Sequence, residues 1–419
     1  MAGCSRPGQV RRHSGESGAA HRWRHATLVA GGFTLLLGLT GLVGANIAQA
    51  SQPASAVGTT WGIETTPNAT GAAVNELSAV SCTSPRACTA VGSYAETLST
   101  PSVPLAERWN GKTWRLQAPA VPAGTASTFL YGVSCTSATA CTAVGNAFHT
   151  ATKVNLIVVE AWNGKSWRIK PAPIPSPKGQ GSSFFAVSCT SGSACTAVGF
   201  YGNAAGNPQA FAERWNGKTW RIQAVPRPSK LTWFFGVSCS SPRACTAVGY
   251  QNKGSGDAQP LAEAWNGAKW QVLKVPLPSG APGGAFKAVS CTSPSACTAT
   301  GTAFGSSPTL AERWNGKSWR IQSAPNPPRY QTSAGEVALD GVSCTSTTAC
   351  TASGEYSPGG LAAYFAEAWN GKSWSLQTTP VPAGFKSGAL LGVSCVPARC
   401  TAVGAYTALG PQVTLAMAR

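Results

Sequence analysis

The chain has 419 residues, of which 43% are hydrophobic and only 11% charged, with 47 Gly and 30 Pro. That is enough apolar material for a core and too many turn formers for a mainly helical protein. The formal net charge of +18 favours anionic partners.

Residues 1–50 read as a targeting segment. Arg6, Arg11, Arg12, Arg22 and Arg24 form a basic start, an apolar run follows from Ala26, and Ala48-Gln49-Ala50 supplies a small-x-small cleavage pattern. The run is also long enough for an uncleaved membrane anchor, and either reading places the remainder outside the cytoplasm. The Arg11-Arg12 pair lies too far from the run for a twin-arginine signal. Without residues 1–50 the chain keeps 27 basic and 13 acidic residues, a net charge near +14. Residues 51–57 read as a short linker, and residues 58–419 as one repeat domain.

Cys4 belongs to the targeting segment. The other cysteines fall in pairs: Cys82/Cys88, Cys135/Cys141, Cys189/Cys195, Cys239/Cys245, Cys291/Cys297, Cys344/Cys350 and Cys395/Cys400. Successive first cysteines are 53, 54, 50, 52, 53 and 51 residues apart. Each pair brackets a turn in a frame like "GVSCTSATACTAVG" (132–145), which predicts a β-hairpin with a disulfide across its open turn. An exported chain with no cysteine left over fits seven disulfides. Metal binding would need histidine beside the cysteines or a C-x2-C spacing, and neither is present. Each closure contributes about 2 kcal/mol in the chain-entropy model.

A period near 52 residues is the mark of a repeat architecture. Each unit holds four candidate strands, which in the second unit are "YGVSC", "CTAVGNAF", "LIVVEAW" and "SWRIK". Asn163-Gly164 joins the last two and predicts a tight type I′ turn, as does Asn-Gly at 110, 216, 266, 315 and 370. The fold class is therefore all-β: a seven-bladed propeller of four-stranded antiparallel blades. The chain ends on "VTLAMAR", half a hairpin, and "GTTWGIETTP" (58–67) matches the missing half, with Trp61 in the role of Trp114. The strand in 58–66 is expected to pair with 413–419, closing the ring and covering an open edge.

The "NGK[ST]W" turn resembles the tail of the Asp-box (BNR) motif of sialidase-like and sortilin-like propellers, through Gly111, Thr113 and Trp114. Trp109 stands at that motif's Asp and Glu107 at its Ser. The resemblance implies a hairpin between the third and fourth strands of a blade and carries over no catalytic residue.

Features present in every blade read as structural. The paired tryptophans, such as Trp109 and Trp114, are expected to sit diagonally on one face and to pack between blades. Glu107, Glu160, Glu213, Glu263, Glu312 and Glu367 are expected to bond to backbone or to a neighbouring Arg or Lys. Lys112, Lys165, Lys218, Lys317 and Lys372, with Arg115, Arg168, Arg221 and Arg320, spread positive charge round a rim, which suits a polyanion or simply solubility.

Function should lie in what differs between blades. The Cys and Asn-Gly turns share one face, and the more variable connections share the other, the expected ligand face. The aromatics after the "AVG" strand are the candidate ligand-binding residues: Tyr94, Phe148, Tyr201, Tyr250, Phe304, Tyr356 and Tyr406, with Trp233 and Phe234 of "SKLTWFFG". Core filling at strand ends is the competing reading. Catalysis is poorly supported: His149 is the only histidine after residue 50, and Asp257 and Asp340 are the only aspartates. Glu336, Asp340 and Glu355 fall in or beside the connecting loops of one blade, and two of them could form a carboxylate pair.

The expected function is extracellular or cell-surface binding of a glycan, an anionic cell-wall polymer or a protein partner. The alternatives are a sialidase-like propeller hydrolase or lyase and a purely structural envelope protein. No cofactor and no metal is implied. Nucleic acid is disfavoured by export and by the lack of a recognisable module. Membrane contact is expected only through an uncleaved N-terminal segment, and the chain is expected to be a monomer.

Overall fold

The computed structural model describes residues 60–175, 180–252, 258–305, 308–328, 337–357 and 361–419. The targeting segment, Asp257 and Glu336 therefore lie outside the described residues. Seven four-stranded antiparallel sheets form the blades of a propeller. Blade 4 is typical: Leu231–Ser241 is the inner strand, followed by Ala244–Asn252, Ala258–Trp265 and the outer strand Trp270–Leu273. The inner strand starts earlier than "GVSC" alone predicts, because the residues before it continue the ladder to Leu231↔Asn252.

The seventh blade is composite. Its first three strands are Ser387–Val396, Arg399–Thr407 and Gln412–Ala418, and Gly62–Glu64 pairs with the last in the register Gly62↔Ala418. Trp61 is 4% exposed in the core of this blade, and Glu64 bridges Arg399 at 2.5 Å. Deleting residues 58–66 should therefore strip hydrogen-exchange protection from residues 395–419 while protection in blades 3–5 survives. Uniform protection in the deletion variant would refute this closure.

All seven cysteine pairs form disulfides: Cys82–Cys88, Cys135–Cys141, Cys189–Cys195, Cys239–Cys245, Cys291–Cys297, Cys344–Cys350 and Cys395–Cys400. In each pair the two residues stand directly opposite each other in the ladder, as Cys239↔Cys245 do. Their setting differs from the open turn that the sequence suggests. The first cysteine is half-buried, but Cys88, Cys141, Cys195, Cys245, Cys297 and Cys350 are buried within the blade cores. Cys400 is half-buried against the core of blade 7, where the shorter "CVPARC" loop closes the hairpin. The second strand of each blade lies between two others, which is why its cysteine is covered. The bridges are thus structural parts of the core and of the joints between blades.

The residues around the bridges tie the blades together. In each blade the N–H of the first cysteine donates to the Ser Oγ one position before the first cysteine of the preceding blade, at 2.9–3.0 Å. The series runs from Cys135 N to Ser81 Oγ round to Cys82 N and Ser394 Oγ. A second ring sets each Thr after "AC" or "RC" against the second cysteine's sulfur in the next blade, between 3.4 and 3.8 Å. Thr89 meets Cys141, Thr142 meets Cys195, Thr196 meets Cys245 and Thr246 meets Cys297. Thr298 meets Cys350, Thr351 meets Cys400, and Thr401 meets Cys88 to complete the circle. The repeated serine and threonine of "VSC…CT" are inter-blade connectors that satisfy polar groups in a crowded ring.

The Asn-Gly hairpins are not two-residue type I′ turns. Trp109 pairs directly with Trp114, so residues 110–113 form the loop, and the two rings lie directly opposite, 5.8 Å apart, rather than diagonally. Asn110 Oδ1 accepts the N–H groups of Lys112 and Thr113, both at 2.9 Å, and only Gly111 takes positive φ, 93°. The asparagine side chain organises the turn, so its own backbone stays in the ordinary region.

Candidate functional site

Every inner strand carries a bulge at the same position, four residues before its first cysteine. In blade 4 the ladder runs Phe234↔Gly249 and then Gly236↔Val248, which leaves Phe235 unpaired. The equivalent residues are Ser78, Tyr131, Phe185, Lys287, Asp340 and Leu391, skipped in the same way. The innermost strands of a propeller surround its central channel, and successive inner strands stand side by side here, so the seven skipped residues ring that channel at one level. All seven are half-buried.

The backbone that makes this possible is repeated although the side chains are not. A Cβ on the glycine of "AVG" or its variants would meet the carbonyl oxygen of the inner strand at 1.8–2.1 Å in all seven blades, as at Gly249 against Trp233 O, 2.0 Å. The residue after each bulge is Ala or Gly, because inner strands of adjacent blades approach most closely there. A Cβ on Gly132 would stand 2.9 Å from Phe185 O.

A second tier, beside the bulges, comes from cross-strand pairs two residues earlier: Glu76↔Ser93, Phe129↔Asn146, Ser183↔Phe200, Trp233↔Tyr250, Ala285↔Thr302, Ala338↔Glu355 and Ala389↔Ala405. The two tiers divide the channel chemically. Blades 2–4 supply a continuous aromatic arc. Phe129 stacks on Tyr131 at 6.0 Å, Tyr131 meets Phe185 at 5.6 Å, and Phe185 meets Phe200 at 5.8 Å and Phe235 at 5.2 Å. Phe235 then meets Tyr250 at 5.6 Å, and Tyr250 stacks on Trp233 at 4.4 Å. The remaining blades supply small or charged residues and, at the blade 7 bulge, Leu391. Lys287 lies 5.3 Å from the Phe235 ring centroid, and Asp340 follows in the next blade.

Burial raises the pKa of Asp340, partly offset by the charge of Lys287, and burial raises that of Glu76 against a hydrogen bond from Ser78. Tyr131 is raised beyond the ordinary phenol range by burial and by the nearby Glu76 carboxylate. One wall of the channel is therefore flat and aromatic, and the other presents a lysine and carboxyl groups among alanines, serines and a threonine.

The aromatic residues singled out in the sequence divide between this wall and the blade cores. Trp233 and Tyr250 belong to the arc. Phe234, between Trp233 and Phe235, is fully buried and packs on Trp270 at 6.4 Å, so it faces no ligand. Tyr201 and Tyr356 pack edge-on against Phe211 and Phe365 of their own blades, and Tyr406 stacks on Phe385. Tyr94 packs against the blade 1 core, and Phe148, one residue further along its strand, and Phe304, just past the end of its strand, are half-buried. These residues stand one, two or three positions after the glycine, so alternation sends them to different sheet faces and they form no single ring. Asp340 and Glu355 lie in strands rather than loops, both on the blade 6 wall.

Sequence reading misses Phe129, Tyr131, Phe185, Phe200, Phe235 and Lys287 as wall residues. A signal for the bulge is present: the fourth residue before the first cysteine is different in almost every repeat, whereas its neighbours hardly change.

No family model and no curated protein matches the chain. Among solved structures it is similar to a polysaccharide lyase of the PL25 ulvan lyase family, at 10% identity and a TM-score of 0.50, covering 83% of this chain and 94% of that one. It is also similar to YCF48 from Cyanidioschyzon merolae, at 13% identity and a TM-score of 0.47, covering 86% and 98%. A fucose-specific lectin from Aleuria aurantia matches at 11% identity and a TM-score of 0.42, covering 74% and 98%. At such identities the likeness concerns the fold.

Proposed function

We propose that this propeller is an extracellular binding module whose ligand is a glycan held in the central channel. The observation that carries the reading is the division of the channel wall, an aromatic arc across three blades facing a lysine and carboxyl groups across small residues. A sugar ring has the matching character: an apolar C–H face that stacks on aromatic rings and a periphery of hydroxyl groups for polar side chains. The scaffold is compatible with such a ligand, since the polysaccharide lyase above has the same fold. Seven disulfides support an oxidising, extracellular setting. The partial Asp-box likeness adds only the placement of a hairpin.

The test is binding to a glycan array and to isolated cell walls, with Trp233→Ala and Phe235→Ala as channel variants. Each variant is expected to fold and to lose about tenfold or more in affinity, the loss of one or two aromatic contacts. Blank results on both array and walls, or full affinity in both variants, would overturn the reading.

A hydrolase or lyase is the second reading, and the raised carboxyl groups of Asp340 and Glu76 on the same channel wall favour it. The sialidase-like version is disfavoured because none of the wall positions in either tier is an arginine. Turnover of a glycoside or polysaccharide panel that disappears in Asp340→Asn would establish the enzyme in place of the binding module.

A further inference from the structure

The position before the first tryptophan of each hairpin alternates round the ring. Blades 1, 3 and 5 have Arg108, Arg214 and Arg313, and blades 2, 4 and 6 have Ala161, Ala264 and Ala368. Each arginine crosses to the next blade and lies over its tryptophan: Arg108 over Trp162 at 5.0 Å, Arg214 over Trp265 at 4.8 Å and Arg313 over Trp369 at 5.0 Å. Those indoles are left only 7–8% exposed. The interface between blades therefore contains a flat slot over an indole, one planar group thick.

Where alanine stands, the slot has a different fate at each interface. Between blades 6 and 7 there is no such indole: Arg419 stands in place of the first tryptophan and reaches back to blade 6, donating to Gln377 Oε1 at 3.0 Å and to Thr351 Oγ1 at 2.6 Å. Between blades 4 and 5, Leu273 packs into the cluster that holds Trp314 and Trp319. Between blades 2 and 3 a cavity of about 210 Å³ remains, bordered by Ala161, Trp215, Trp220, Thr136, Ser191 and Lys170. Trp215 here is half-buried, as is Trp109 beneath Arg399, whereas Trp162, Trp265 and Trp369 beneath their arginines are 7–8% exposed. Lys170 occupies the position that is Gln117, Gln223, Gln322 and Gln377 in four other blades. Blade 2 alone thus combines the loss of the arginine with a lysine beside the open slot.

We propose that the slot between blades 2 and 3 binds a pyranose ring bearing a carboxylate, a uronic acid residue of a glycan chain. The ring stacks on the indole of Trp215 in the space that a guanidinium fills elsewhere, and the carboxylate is drawn to Lys170. The surroundings favour an anion. The slot opens on the face of the Cys and Asn-Gly turns, which carries Lys165 and Lys218, and the nearby Glu160 and Glu213 are 0% exposed. The site deepens the glycan-binding reading and rests on it, but shares no lining residue with the channel wall.

Calorimetric titration with trigalacturonate, with maltotriose as the neutral control, tests the slot. Wild type is expected to bind trigalacturonate saturably and more tightly than maltotriose. Ala161→Arg restores the side chain that blades 1, 3 and 5 already accommodate, so it should fold, and it should weaken trigalacturonate binding by about tenfold or more through loss of the stacking surface. Lys170→Gln should weaken it about threefold, as for a partly exposed ion pair. Ala264→Arg, the same change two blades away, should leave it unchanged. No binding by wild type, equal affinity for maltotriose, or undiminished binding in Ala161→Arg would each overturn the proposal. Binding abolished by Phe235→Ala but untouched by Ala161→Arg would place the uronate in the channel, so that the slot fails while the binding module stands.

Discussion

Gly249→Ala is expected to prevent folding or to destabilise the protein by at least about 3 kcal/mol, the range of severe backbone overpacking. The added methyl would lie 2.0 Å from the carbonyl oxygen of Trp233 and 2.9 Å from the Phe234 Cα, both main-chain atoms that no rotamer change can move aside. Retreat of the inner strand would break the bulge and pull it from the neighbouring blade. The same holds at Gly92, Gly145, Gly199, Gly301, Gly354 and Gly404, where the approach to a carbonyl is 1.8–2.1 Å. Gly192→Ala is the control, since no atom lies within 4 Å of the position its Cβ would take and its φ is not positive. Denaturant unfolding of the two variants decides the matter. Similar midpoints would show that the bulge yields, contrary to its role as the rigid base of the channel wall.

The second large effect is a gain of stability in acid. Glu107, Glu213, Glu263, Glu312 and Glu367 are 0% exposed, and burial raises their pKa to about 8; Glu160, whose Oε2 accepts the Ala120 N–H at 2.8 Å, is raised to about 7. The expected pairing with a basic side chain is not what the fold provides. Glu213, Glu263, Glu312 and Glu367 find no hydrogen-bond partner among the described residues, and the nearby arginines stack on indoles instead. Neutral carboxyl groups tolerate this site far better than carboxylates do.

Since the folded-state pKa lies above the ordinary 4.5, the folded protein holds more protons than the unfolded chain between pH 4.5 and about 8. The stability these groups confer is fully present below pH 4.5 and is lost as pH rises through about 8. One pKa unit is worth about 1.4 kcal/mol. Even one effective unit on each of six groups is large against the roughly 5–15 kcal/mol of a whole domain. The melting temperature should therefore be highest near pH 5 and fall markedly by pH 9. Glu263→Gln should match wild type at pH 5 and exceed it at pH 9. A flat profile, or one that rises with pH, would contradict the burial of these carboxyl groups as neutral acids.

The architecture was legible because its signals are local and repeated. A cysteine pair, a short β run and an Asn-Gly turn recur every 49–55 residues, so blade number and strand order follow without any long-range information. The closure was legible for the same reason: Trp61 and Leu415 stand in frames already seen six times. Where the sequence reading went astray, a side chain had taken over a role that the backbone alone suggested. Asn110 uses its Oδ1 to build a four-residue loop, so the Asn-Gly pair does not act as the two corners of a type I′ turn.

The candidate sites were less legible. Alternation along a strand tells which residues share a face, but a bulge inserts one residue and breaks the count. Phe235 and Phe234 are adjacent and equally apolar, yet one lines the channel and the other is sealed in the core. Tyr131, Phe185 and Phe235 are about 50 residues apart in the chain and become neighbours only because consecutive inner strands stand side by side. The same is true of the slot over Trp215, which depends on Ala161 and Lys170 of the preceding blade.

The sequence by itself determined the number of blades, the seven disulfides and the joining of the two ends of the domain, since each rests on short motifs whose geometry is set within a hairpin. Only the tertiary structure decided which variable residues face the channel, which aromatics and cysteines are core, and which inter-blade slot stays open. Those outcomes depend on a bulge that resets side-chain direction and on contacts between blades a full repeat apart.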